Sequence, residues 1–359
     1  MHKHMQYRRL GRTDLMVSAV GLGAIAGAGG AEGTTRIINQ AIDLGTNFID
    51  TSRQYAHSEE RIGPVLEQRR EDVYVCTKTH ERDKQAAARQ IQESLELLLV
   101  DTIDIYMLHD VSGDKTYEKV RSPGGALQAL KEAREAGKIA HIGISTHDLN
   151  TAKRAIRSGE FEVLEIPFSA VENSEQHFEA IELANKLDIG IVAMKPLSGG
   201  NLSNAELALR YVLQHDISTA IPGARKPEEA RQNSMVGWEP RPLAEEEQRV
   251  LFEEARALGE TFCRRCGYCM PCTVDIDIPG TFILDNQARA AIARGEARVL
   301  DVVRKGYAMV PVKADQCLQD GVCEARCPYH LPIAEMMKAA RERLMPSASR
   351  CEAREHPTA

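Results

Sequence analysis

Eight short apolar runs, each followed by an amphipathic helical stretch, recur through the first two thirds of the chain, and no other feature narrows its fold as much. The runs occupy residues 17–23, 46–50, 72–78, 102–109, 139–145, 161–168, 188–196 and 217–223. Between them the apolar spacing switches to the helical period. Ile91, Leu95, Leu98 and Leu99 fall at i, i+4, i+7 and i+8 of a predicted helix over 84–100, and another over 34–44 stops at Gly45. Strands this apolar need cover on both faces, which a parallel sheet flanked by helices supplies. Eight such units in about 250 residues have the count and size of a (β/α)8 TIM barrel.

The rival fold is a doubly wound sheet, suggested by GLGAIAG at 21–27 with Asp43 downstream. Its third glycine is wrongly spaced and a loop intervenes before the helix, so the dinucleotide fingerprint is a poor match. Composition excludes other classes. A net charge of -7, with basic residues scattered among acidic ones, offers no field for nucleic acid or anionic lipid. No apolar run approaches the roughly 18 residues of a spanning helix. No nucleic-acid or membrane partner is expected, and the protein is expected in the cytoplasm.

After a predicted helix over 244–258 the texture changes. Seven of the nine cysteines fall between Cys263 and Cys327. Disulfide scaffolds belong to small secreted chains, so this grouping points to metal in a reducing compartment. Cys263, Cys266, Cys269 and Cys272 follow one another at an unbroken three-residue spacing, and Cys317, Cys323 and Cys327 precede Pro328. A structural zinc site pairs two Cys-x2-Cys hairpins and needs four ligands. Consecutive x2 spacing with a later Cys-Pro is how ferredoxins wrap cubane clusters, the last cysteine of each run serving the other run's cluster. That rule assigns Cys263, Cys266, Cys269 and Cys327 to one [4Fe-4S] cluster. It leaves Cys272, Cys317, Cys323 and Asp320 for a second.

Thiolate is the softer and stronger ligand for iron, so a site completed by Asp320 holds its fourth iron loosely. The alternatives are an Asp320-ligated cluster, a [3Fe-4S] form, or a turn at Asp320 with one cluster in all. The expected domains are a barrel over 1–258, a small, mostly helical, ferredoxin-like iron-sulfur domain over 259–345, and a frayed tail over 346–359.

In a (β/α)8 barrel the reactive groups come from the carboxyl ends of strands. Asp50 ends the second predicted strand, Tyr55 follows in its loop, Lys78 ends the third and His109 the fourth. Cys76, two residues before Lys78, faces the barrel interior with it. A tyrosine of pKa about 10 is a poor acid at neutral pH, and a cation held beside it favours the phenolate.

The stretches YRRLGRTDLMVSAVGLGA, FIDTSRQYAHSEERIG, VCTKT, IYMLH, IGIS and IPGARKPEEARQN together resemble the aldo-keto reductase family over residues 6–258. CGYCMPC and CEARCPYHLPI resemble its branch with a ferredoxin-like tail, in which a cysteine stands at the position of Asp320 and a proline at that of Thr273. The resemblance implies Tyr55 as general acid to a substrate carbonyl, Lys78 beside it, Asp50 paired with Lys78, and His109 orienting the carbonyl. It also implies a nicotinamide dinucleotide, NADP or NAD, across the barrel mouth. Ser145 and Glu165 would lie at the carboxamide, Glu165 standing where the family carries glutamine. Met194 stands where an aromatic stacks on the nicotinamide. Leu197 and Gly199 would lie over the pyrophosphate, and Gly223, Arg225, Lys226, Gln232 and Asn233 around the adenosine. Arg225 and Lys226 tip the choice toward NADPH.

Three functions follow from joining the parts. The chain is a carbonyl reductase with structural clusters, a protein passing single electrons between a ferredoxin-like partner and the barrel, or a redox sensor. The intact Tyr55 group argues against the last. The substrate is expected to be a small carbonyl or alcohol.

Overall fold

The structure, a computed structural model, describes residues 4–23, 30–259, 261–264, 267–293 and 295–345. The expected tail over 346–359 lies outside them. Two compact units divide the chain, residues 1–258 and 259–359.

The first unit opens with an antiparallel hairpin, β1 (Tyr7–Arg9) and β2 (Met16–Ser18). Eight parallel strands follow: β3 (Leu22–Gly23), β4 (Phe48–Asp50), β5 (Tyr74–Thr79), β6 (Ile103–Leu108), β7 (Ile139–Ser145), β8 (Val163–Pro167), β9 (Gly190–Met194) and β10 (Thr219–Ile221). Each pairs with its sequence neighbour. Parallel bridges Val20↔Ala220 and Gly23↔Gly223 bring the first and last strands together, with Gly21 N donating to Ala220 O at 2.9 Å. The result is a nearly closed eight-stranded barrel.

Strand alternation sorts the side chains. Phe48, Cys76, Ile105, Met107, Val163, Val192, Met194 and Ile221 form an interior cluster, which Leu10 and Val17 of the hairpin region join. Ile49, Val75, Tyr106, Leu108, Ile144, Leu164 and Ile191 belong to the outer cluster beneath the helices. Burying each large apolar side chain contributes about 1.5–3 kcal/mol. Period two therefore carries Asp50 and Lys78 into the barrel above Phe48 and Cys76, and Glu165 above Val163.

The helices pack by the same arithmetic. In Lys84–Leu98 the buried residues are Ala87, Ile91, Ser94, Leu95 and Leu98, and Asp83 caps the amino end by accepting from Gln85 N and Ala86 N. Its neighbour Ser58–Arg69 approaches so closely that a Cβ on Gly63 would lie 2.3 Å from Leu97 O. The stretch after His109 contains a helix over Asp114–Arg121 with Tyr117 and Val120 buried. The amino-terminal hairpin was not expected, because three-residue strands leave too short a pattern to read.

The second unit is helical: Ile278–Ala293, Ala297–Ala308, the short Val322–Ala325, and Ile333–Leu344. Ile276, Ile278, Phe282, Tyr307, Met337 and Leu344 share its core with cysteines 263, 269 and 327. Arg343 grips Asp285 through two bonds of 2.6 and 2.8 Å. The helices Ile278–Ala293 and Ala297–Ala308 are parted at Gly295, whose φ of +67° suits glycine. No helix among the described residues is long and apolar enough to cross a membrane.

Candidate active site and cluster pockets

Lys78, at the end of β5, is fully buried, and its charge decides the character of the barrel mouth. Its Nζ donates to Asp50 Oδ2 from the adjacent strand and to Thr51 O at 3.0 Å. From β8, Glu165 Oε2 comes within 3.2 Å of the same nitrogen. Burial alone would strip the lysine of its proton, but the neighbouring carboxylate charge, that of Asp50 foremost, outweighs it and holds Lys78 charged well above the ordinary lysine value. Tyr55 adds to that pull, which places its oxygen within electrostatic reach of the ammonium. Burial first, and the Asp50 charge second, push Glu165 the other way, up to about 8 against the attraction of Lys78. Two carboxyls around one lysine cannot both ionise cheaply, so Glu165 is the protonated member at neutral pH. Cys76, beneath them, is held as a neutral thiol by burial.

His109, just past β6, is 2% exposed. Its Nδ1 lies 2.8 Å from Ser52 Oγ, and its ring meets Tyr55 edge-on with centroids 5.6 Å apart. Burial, then the Lys78 charge, keeps the imidazole neutral well below its usual range. Arg82 fixes the backbone by donating to His109 O at 2.7 Å and to Asp110 O at 2.8 Å. Asp110, at φ 48°, donates its amide to Ser145 Oγ at 3.0 Å. Asp50, Tyr55, Lys78, His109 and Glu165 thus gather in one place.

The remaining barrel positions lie around the rim. Met194 and Ser145 are buried at the ends of β9 and β7. Leu197 and Gly199 belong to a tight loop in which Lys195, Ser198, Gly199 and Gly200 all have positive φ. Ser198 is anchored there by Ser169 Oγ at 3.0 Å. Arg225 and Lys226 are exposed before the helix Pro227–Val236, where Glu229 Oε2 accepts from Arg225 N at 2.7 Å. Gln232 is exposed on that helix, while buried Asn233 donates to Gly223 O at 3.4 Å.

Two further cavities lie in the second unit. One is lined by Cys263, Cys269 and Cys327. The other is lined by Cys272, Cys317, Cys323 and Asp320. Ile278 and Ile333 line both and form the wall between them. Cys266 lies outside the described residues. The sorting of cysteines follows the crossed ferredoxin rule, and soft sulfur donors converging on each pocket suit iron-sulfur clusters. The thiols differ in exposure: Cys263, Cys269 and Cys327 are buried, whereas Cys272, Cys317 and Cys323 are half-buried.

Sequence reasoning missed Ser52, Arg82, and the pair of Lys195 and His147, whose nitrogens lie 3.1 Å apart. Ser52 was legible in one respect: two residues past Asp50, it stands at the carboxyl end of a strand, where such barrels place reactive groups.

Comparison with known proteins agrees with this geometry. Residues 19–206 match the Aldo/keto reductase family and residues 262–332 match the 4Fe-4S dicluster domain. An uncharacterized oxidoreductase of Bacillus subtilis, YqkF, is 26% identical over 301 residues, 69% of this chain and 95% of its own. The aldo-keto reductase yakc [NADP(+)] of Schizosaccharomyces pombe is 30% identical over 52% of this chain and 58% of its own. Among solved structures, the aldo-keto reductase AKR11C1 of Bacillus halodurans, in its holo form, superposes with a TM-score of 0.61 at 25% identity, covering 71% of this chain and 97% of that one.

Proposed function

Since the chain belongs to the aldo/keto reductase family and carries a 4Fe-4S dicluster domain, we propose that its barrel interconverts a carbonyl and an alcohol with an NAD(P)H cofactor, Tyr55 serving as the acid. The observation that carries this reading is the buried Asp50–Lys78 pair with Tyr55 and His109 gathered over it. A bound nicotinamide dinucleotide supplies the hydride.

The chain's own groups do the rest. Tyr55 gives its Oη proton to the carbonyl oxygen as the carbon is reduced, and so becomes a phenolate. Lys78, kept charged by Asp50, stabilises that phenolate. In this reading Ser52 donates to Nδ1 of the neutral His109 ring, which leaves the ring's N–H on Nε2 to hydrogen-bond, without transferring its proton, to the oxygen on which negative charge grows. Together these add one hydride and one proton across C=O and leave an alcohol.

The residues fit the cofactor in most respects. Arg225 and Lys226 offer cations at the rim for a 2'-phosphate, and the loop of Leu197 and Gly199 offers backbone for a pyrophosphate. Glu165 departs from the family, yet as a neutral acid it presents an O–H to a carboxamide where an amide N–H would stand.

The test is turnover of a simple aldehyde with NADPH by the wild type and by Tyr55→Phe. If the variant retains most of the rate, Tyr55 is not the acid and the mechanism fails.

A second reading rests on the half-buried thiols Cys272, Cys317 and Cys323. In it the second unit relays single electrons to a ferredoxin-like partner through that exposed pocket. Anaerobic mixing with NADPH, followed by electron paramagnetic resonance, tests it: cluster reduction supports the relay, and clusters that stay oxidised during aldehyde turnover overturn it.

A further inference from the structure

Two positions that break the pattern of the cysteine-rich unit meet in space. Thr273, directly after Cys272, donates from Oγ1 to Asp320 Oδ2 at 2.7 Å, 47 positions along the chain. The other carboxylate oxygen, Oδ1, accepts from Val322 N at 3.2 Å. The two departures form one arrangement that holds the Asp320 carboxylate on the wall of the pocket shared with Cys272, Cys317 and Cys323.

A carboxylate accepts about four hydrogen bonds, so two such contacts leave lone pairs for a metal while drawing off some of its charge. Asp320 is exposed, and Leu318 beside it is 65% exposed, so this corner faces water. The other pocket offers no counterpart among its described residues: Cys263, Cys269 and Cys327 are at most 9% exposed. An oxygen donor, harder than thiolate and already sharing its charge, binds iron more weakly than the cysteines do.

We propose that this pocket holds a cluster with three cysteine-bound corners and one exchangeable corner at Asp320, a site that releases and takes up a divalent cation from solution while the rest stays in place. The inference rests on the reading of the unit as a two-cluster domain. Its chemistry balances without an oxidant: release of Fe2+ from [4Fe-4S]2+ leaves [3Fe-4S]0. An added one-electron oxidant such as ferricyanide then takes one electron and gives paramagnetic [3Fe-4S]+. The corner would equally accept another borderline divalent ion such as Co2+ or Zn2+.

The experiment uses the full chain, reconstituted anaerobically with iron and sulfide. It is treated with a chelator and then ferricyanide, and followed by iron analysis, Mössbauer spectroscopy and electron paramagnetic resonance. The expected result is loss of about one iron in about eight per chain. A three-iron signal should appear with it, and both changes should reverse with reductant and Fe2+. In Asp320→Cys the loss should vanish, because four thiolates then hold the cluster. In Thr273→Ala, with that share of the carboxylate's charge returned to the metal, the iron should leave several-fold more slowly. Two intact four-iron clusters that resist the chelator in the wild type would overturn the inference while leaving the two-cluster reading in place. About four irons per chain and a single four-iron spectrum would overturn both.

Discussion

Glu165 and Asp50 reach the same ammonium, that of Lys78, from strands β8 and β4 of one barrel, Glu165 at 3.2 Å. The site therefore holds one carboxyl group more than the lysine can neutralise, and burial settles the excess by keeping a proton on Glu165.

That proton makes stability depend on pH. Between the ordinary glutamate value of 4.5 and about 8 the folded chain holds a proton that the unfolded chain has released. Stability is therefore fully present below that window and falls as pH rises through it, by up to about 1.4 kcal/mol per unit. His80 and His177, each lowered to about 4 by burial, give the opposite slope, losing stability as pH falls below 6.5. Comparison with Glu165→Gln cancels the histidines. Urea unfolding should show wild type losing stability relative to the variant from pH 5 to pH 8, and parallel curves would count against a protonated Glu165.

Tyr55→Phe should lower kcat by about 10²–10⁴ while leaving NADPH binding within a factor of two or so. Cofactor fluorescence titration beside steady-state kinetics separates the two effects. Equal losses in both would mean that the ring shapes the pocket instead of giving a proton.

Ser52→Ala removes the partner of His109 Nδ1. With the tautomer no longer fixed, kcat should fall roughly tenfold, and the lost buried hydrogen bond should cost about 1 kcal/mol. Nitrogen NMR of the imidazole reads the tautomer directly, and an unchanged Nε2–H population in the variant would show that Ser52 does not set it.

Gly63→Ala should destabilise the barrel unit by about 1–3 kcal/mol, because the new Cβ meets Leu97 O at 2.3 Å and backbone cannot yield as a flexible side chain can. Thermal unfolding measures this. Activity per folded molecule should stay near wild type, since Gly63 faces a neighbouring helix and not the mouth.

Arg225→Ala with Lys226→Ala should weaken NADPH at least tenfold and NADH little, if those cations meet a 2'-phosphate. Equal changes for both cofactors would place the phosphate elsewhere.

The barrel was legible because its strands are buried on both faces, so each run from 46–50 to 217–223 stood out as apolar in its own right. Asp50, Lys78 and His109 were legible for a related reason: each is the polar residue that ends such a run. Ser52 was legible only by its place at a strand's carboxyl end and Arg82 not at all, since a hydroxyl beside a ring and a guanidinium that ties down two carbonyls leave no periodic trace. The contact between Thr273 and Asp320 was hidden for a different reason. Sequence showed two departures from a pattern, and only folding brings residues so far apart within 2.7 Å.

The hairpin β1–β2 pushes Leu10 and Val17 into the lower end of the barrel, and Leu10 packs so tightly on Gly190 that no Cβ would fit there. The barrel is thereby a room with one door. On the proposed reading, a proton given up by Tyr55 has this apolar floor below it and is replaced from the mouth, the side by which product departs. Reprotonation and release then compete for one threshold, and solvent viscosity and deuterated water should slow the same step.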